Sequence, residues 1–155
     1  MAKDTAILVH ALWMTGAEML LLKHRLRNDG FHVVQFRYRM MARSLAHNCE
    51  RLRKLIQQHD SKCMHLIGHS LGGVLALQTL RRFPDLPIDK VVCLGSPLLD
   101  STAGRRISRF PRGRAMLGKT LPEAVFETPL AVWAGRQMVG VITGTRALGL
   151  GRLLR

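Results

Sequence analysis

The residues best equipped for chemistry in this chain are Gly68-His69-Ser70-Leu71-Gly72-Gly73. A serine with glycine two positions before and after it matches G-x-S-x-G, a spacing at which a strand can turn sharply into a helix and leave the hydroxyl outside both. The flanks suit such a turn. Cys63 to Ile67 is a short apolar run that reads as a buried strand, and Val74, Leu75, Leu77 and Leu80 keep helical spacing until Pro84 stops it. Gly68 and Gly72 are expected where the turn has no room for a side chain, and Gly73 where the helix must lie close on a sheet. In this geometry Ser70 would be a nucleophile at the positive end of a helix dipole, and the Leu71 N–H would point at a developing oxyanion.

A serine hydroxyl is a poor nucleophile until a base takes its proton. All seven histidines (His10, His24, His32, His47, His59, His65 and His69) precede Ser70. His10 and His69 are the histidines to weigh as a base, but for each the packed or surface histidine is the stronger reading. Asp100 is a candidate acid, although Asp-Ser-Thr also suits a helix cap. Trp13, Met14 and Leu71 could line an apolar acyl pocket or simply pack in the core. Metal-ligand spacing, a phosphate-cradling loop and a dinucleotide fingerprint are all missing, so no metal and no cofactor is expected.

The elements that must position Ser70 follow from periodicity. Thr5 to His10 is a first strand, apolar enough to be buried on both faces of a parallel sheet. Thr15 with Glu18 three residues later reads as a capping box for a helix through Met19, Leu22 and Leu26, ending at Asn28-Asp29-Gly30. Phe31 to Tyr38 alternates as a second strand. Ser44 caps a second helix whose Leu45, Cys49, Leu52, Leu55 and Ile56 share one face. The Ser70 unit comes next, then a strand over Lys90–Ser96. Residues 97–129 break the pattern and read as an irregular arm or a lid, with short helices near 101–109 and 113–118. A fifth strand covers Val139–Thr143, and 144–155 reads as a loop or frayed tail. Strands alternating with helices imply an α/β fold: a doubly wound, mostly parallel five-stranded sheet with helices on both faces, in one domain over 1–155. Ligands of such sheets sit at the carboxyl ends of the strands, which is where Ser70 falls.

Composition narrows the partners. With 24 Lys and Arg against 10 Asp and Glu the formal charge is +14. The basic residues are spread out, apart from Arg105, Arg106, Arg109, Arg112 and Arg114, and stacking aromatics are not interleaved with them. No nucleic-acid partner is therefore expected, and a weak contact with an anionic membrane surface ranks ahead of it. Three widely spaced cysteines (Cys49, Cys63, Cys93) read as reduced thiols. With no secretory leader or spanning run evident, the expected location is cytoplasmic.

Val9-His10-Ala11-Leu12-Trp13, Gly68 to Gly73 and Val92-Cys93-Leu94-Gly95-Ser96-Pro97 together resemble the α/β-hydrolase superfamily, in particular its small bacterial lipase and esterase members and their inositol-deacylase-like relatives. The resemblance runs over nearly the whole chain. It implies a carboxylic-ester hydrolase with Ser70 as nucleophile, the backbone N–H groups of Leu12 and Leu71 as oxyanion donors, and a small-molecule or lipid ester as substrate. Ala11 stands where that family usually has glycine, which would strain the loop if the position needs a positive φ. The family's order is serine, then acid, then histidine, with the acid after the strand equivalent to 139–143. The chain is thus expected to lack the last strand–helix unit, on the order of 30 residues, and to be weak or inactive. An inactive remnant that binds lipid or acyl groups, and a serine acyltransferase, are the alternatives. If 139–143 closes the sheet, its open edge invites self-association.

Overall fold

The computed structural model describes residues 3–61, 63–98, 117–127, 130 and 132–144. The five strands are β1 (Thr5–Val9), β2 (His32–Phe36), β3 (Met64–His69), β4 (Lys90–Leu94) and β5 (Met138–Ile142). They form one sheet in the order β2-β1-β3-β4-β5, and every pairing is parallel. The helices are α1 (Leu20–Asn28), α2 (Leu45–Gln57) and α3 (Leu71–Arg82). This is the doubly wound sheet expected from the alternation, wholly parallel among the described residues. Strand limits differ from the sequence reading by one or two residues. The expected helices near 101–109 and 113–118, the Arg105–Arg114 cluster, Asp100 and the 145–155 tail lie outside or largely outside the described residues.

Side-chain alternation distributes the core over two faces. One large cluster joins Ile7, Val9, Leu66, Val91 and Cys93 to the inner sides of α2 and α3. A smaller one, of Leu8, Met19 and Val33 with Leu22, Leu26, Phe31 and Ile67, joins the opposite face to α1. β1 lies between two strands and between both layers, so all five of its residues are buried. That is why it reads as an unbroken apolar run. The ten residues Leu71–Leu80 of α3 are likewise all buried. Truncating Leu75 there would cost about 2–5 kcal/mol from lost transfer energy and the cavity left behind.

α2 has the polarity its spacing predicts. Leu45, Asn48, Cys49, Leu52 and Ile56 face the core, and the Ser44 hydroxyl accepts from the His47 N–H as the expected cap. A second cap comes from far along the chain: a Glu123 carboxylate oxygen accepts from the Leu45 N–H at 2.6 Å. Glu123 belongs to a π-helical turn over Pro122–Glu127 whose Ala124 and Val125 are buried. Thr120 adds to this docking, accepting from Asn48 Nδ2 and donating to the Arg43 carbonyl, both at 2.8 Å.

The first helix departs from expectation. It opens as a short 3-10 turn (Ala17–Met19) behind Gly16, which has φ +93° and makes no side-chain cap. The Thr15–Glu18 capping box does not form, because the Glu18 carboxylate turns to the loop after β1. β5 forms one margin of the described sheet, with Met138, Val141 and Ile142 largely exposed.

Candidate active site

Ser70 stands at the junction of β3 and α3 with φ +50° and ψ −121°. A non-glycine residue rarely adopts such a conformation, and the structure around it enforces it. The Ser70 N–H donates to the Leu94 carbonyl at 2.8 Å, and the Gly73 N–H donates to the Ser70 carbonyl at 3.1 Å. Parallel pairing of β3 with β4 brings Leu94 beside His69, so the sheet itself supplies this anchor. The Ser70 side chain does not cap α3, and its hydroxyl has no hydrogen-bond partner among the described residues.

The glycines show why the turn is so tight. A methyl on Gly72 would collide with the carbonyl oxygens of Val9 and His10, and one on Gly68 with the backbone of Gly73. A methyl on Gly73 would strike Ser96 and crowd Cys93 Sγ at 3.2 Å. The N-terminus of α3 is therefore pressed against the carboxyl end of β1, at Val9 and His10.

Within that loop the positive φ falls on Trp13 (+60°), not on Ala11, so the alanine is unstrained. The Trp13 N–H is committed to Met40 Sδ at 3.2 Å. The Leu12 N–H, in contrast, has no partner among the described residues. The Leu71 N–H lies in the first turn of α3, where amides have no intrahelical acceptor. The supposed acyl pocket divides: Trp13 and Met14 are exposed (41% and 44%), whereas the Leu71 side chain is fully buried in the core.

Two histidines adjoin the site, and neither is placed as a base. His10 is buried. Its Nδ1 donates to the Ala11 carbonyl at 2.9 Å and its Nε2 accepts from the Tyr38 N–H at 3.4 Å, so both ring nitrogens are occupied. Its ring also stacks on Tyr38, whose hydroxyl donates to the His10 carbonyl at 3.0 Å. Burial and the nearby Glu18 charge push the Tyr38 phenol well above its ordinary range. His69 Nδ1 lies 3.8 Å from Glu18 Oε1.

Glu18 is the residue that sequence reasoning misplaced. Its Oε1 accepts from the Ala11 N–H at 3.0 Å, which ties the start of α1 to the loop after β1. The seven-residue separation carries no local signature; only the packing of α1 on the sheet brings the two together.

Comparison with known proteins places this arrangement. Residues 6–153 match the Alpha/beta hydrolase family. No match was found among curated proteins. The mature lipase BlEst2 of Bacillus licheniformis superposes with a TM-score of 0.76 at 15% identity, covering 97% of this chain and 69% of that one. A carboxylesterase of the ammonia-oxidizing thaumarchaeon Nitrososphaera gargenis aligns with a TM-score of 0.58 at 17% identity, over 68% of this chain and 41% of its own. The monoacylglycerol lipase of Paleococcus ferrophilus gives 0.56 at 22% identity, over 68% of this chain and 47% of its own. At these identities the likeness is one of fold, and the chain spans less than half the length of the last two.

Proposed function

The chain belongs to the alpha/beta hydrolase family, and from that premise we propose that Ser70 is the nucleophile of a carboxylic-ester hydrolase site, with the Leu12 and Leu71 N–H groups as its oxyanion donors. The observation that carries the reading is the backbone of Ser70, a strained serine between a parallel strand and a helix N-terminus. The substrate class is a small-molecule or lipid ester, in keeping with the esterases and lipases of similar fold. In the reaction Ser70 Oγ attacks the ester carbonyl, the alkoxide leaves with a proton, and water releases the acid from the acyl-serine. Uncommitted N–H groups at residues 12 and 71 are what a tetrahedral oxyanion requires.

The proton is the difficulty. None of the seven histidines follows Ser70 in the sequence; His10 has both ring nitrogens bonded, and His69 lies 3.8 Å from Glu18. Loss of the base in a serine hydrolase costs roughly a million-fold in turnover, while the oxyanion hole and binding retain roughly a thousand-fold over water. Trace turnover is what this reading expects of a Ser70 with no base placed beside it among the described residues. The second reading, on which the occupied ring nitrogens of His10 bear, is an acyl-binding protein without catalysis.

The test measures turnover of an activated aryl ester by the wild type beside Ser70→Ala, with and without added imidazole. Expected is a trace rate within about tenfold of the variant, with imidazole raising only the Ser70-dependent part once the hydrolysis that free imidazole itself catalyses is subtracted. A wild-type rate thousands of times above the variant would refute the missing base. An imidazole effect identical in both proteins, with fluorophosphonate labelling that survives Ser70→Ala, would refute the nucleophile.

A further inference from the structure

At the outer margin of the sheet, beyond β2, a cleft of about 390 Å³ opens between that strand and α2. Arg37, Arg51 and Lys54 line it, with the amides of Gln35 and Gln58, and Phe36 and Leu55 form its apolar part. We propose that this cleft is a binding site for a phosphate-bearing anion, recognised by Arg37, Arg51 and Lys54.

The charge lining the cleft is all positive, with Glu50 acting on Lys54 only through space, from outside the lining. No carboxylate lines it, and among the described residues none lies within ion-pairing distance of the three cations. The acid of α2 that could neutralise them, Glu50, is taken by Arg53, whose Nε and Nη2 donate to its two oxygens at 2.8 and 2.5 Å. That pairing holds the Glu50 carboxyl below its ordinary range, so it stays ionised and stays with Arg53.

One of the cations is also held in place. The Arg51 guanidinium lies 5.6 Å from the centre of the Phe36 ring, over its face. Phe36 is itself buried and stacked parallel to Tyr38, with 5.6 Å between ring centres. A planar guanidinium fixed on a rigid ring loses little freedom on binding and presents paired donors, the geometry that matches phosphate oxygens. Gln35 also lines the cleft, but its Nε2 already donates to the Gly16 carbonyl, so Gln58 is the amide available to add a neutral donor.

The number of cations selects the ligand. A monocarboxylate carries one negative charge and would leave two cations unmatched. A phosphomonoester carries about −1.5 to −2 at neutral pH and three terminal oxygens. Protection of the edge strand accounts for a charge at Arg37 alone. It does not call for Arg51 and Lys54 to reach the same cleft from a helix, one of them braced on a ring. A free phosphomonoester and a lipid headgroup with a terminal phosphate share this chemistry.

The experiment follows backbone amide shifts of the purified chain during titration with inorganic phosphate. In parallel, co-flotation is measured with phosphatidylcholine vesicles with and without phosphatidic acid. Arg51→Gln/Lys54→Gln is compared with Arg81→Gln/Arg82→Gln, which removes equal charge from exposed positions on α3. Expected are saturable shifts centred on residues 36–58, weakened about tenfold or more in the first variant and less than about twofold in the second. Phosphate binding with selective flotation on phosphatidic acid would assign a lipid headgroup; phosphate binding without flotation would assign a free phosphomonoester. Equal weakening in both variants, the absence of saturable shifts, or flotation without phosphate binding would overturn the proposal. Ester hydrolysis plays no part in these readouts, so the site stands or falls separately from Ser70.

Discussion

The strain at Ser70 has a thermodynamic consequence that can be measured without any substrate. A residue held in a sparsely populated backbone region costs on the order of 1–3 kcal/mol. At Ser70 the cost arises because a β-carbon occupies φ +50°. Replacing Ser70 with glycine removes that β-carbon and the strain with it. The replacement also adds about 0.5–1 kcal/mol of backbone entropy to be lost on folding. The difference leaves Ser70→Gly more stable than the wild type by about 0.5–2 kcal/mol, or about 1–8 °C in Tm for a chain of this size. Ser70→Ala keeps the β-carbon and therefore the strain. Since the serine side chain makes no hydrogen bond to the described residues, this variant should match the wild type within about 0.5 kcal/mol. Urea unfolding followed by circular dichroism, with all three proteins at one pH, gives the ordering directly. Glycine at or below alanine would mean that the turn imposes no penalty on a side chain, and the argument from strain to a functional serine would fail.

Three other outcomes follow from the structure. Gly72→Ala, which drives a methyl into the Val9 and His10 carbonyls, should destabilise by about 1–3 kcal/mol or more, whereas Gly140→Ala, with nothing near the added methyl among the described residues, should cost less than about 0.5 kcal/mol; equal unfolding midpoints would refute the close approach of α3 to β1. Tyr38→Phe, which leaves the buried His10 carbonyl without its donor, should cost about 1–3 kcal/mol in the same assay, and a neutral result would mean that the carbonyl finds another partner. Burial pushes the Cys93 thiol from 9.0 up to about 11. The unfolded chain then releases this proton first, so the stability it contributes is intact below about pH 9 and lost as pH rises toward about 11. Unfolding titrations of wild type and Cys93→Ala across that window should show a shallower alkaline decline in the variant, and parallel curves would refute the assignment.

The order of elements, the parallel sheet and the turn that carries Ser70 were legible along the chain. Each of these rests on contacts between near neighbours, or on a burial pattern repeated along one element. β1 is legible because a strand covered on both faces needs every side chain apolar, and α2 because its Leu45, Cys49, Leu52 and Ile56 fall on one stripe. The Ser70 turn is legible because only glycine fits at residues 68 and 72. Tertiary structure alone decided the rest. Thr15 and Glu18 have capping-box spacing, yet Glu18 bonds the Ala11 N–H, a partner brought within reach only by α1 packing on the sheet. Glu123 caps α2 from 78 residues away. Trp13 takes the positive φ that the glycine-to-alanine difference seemed to assign to residue 11. Arg37, Arg51 and Lys54 look like scattered surface charge until the edge of β2 and the outer side of α2 meet around one cleft. Local conformation is written in residue types and spacing, but a polar group's partner is chosen by whichever donor or acceptor the packed elements leave nearest, and a linear pattern holds no record of that choice.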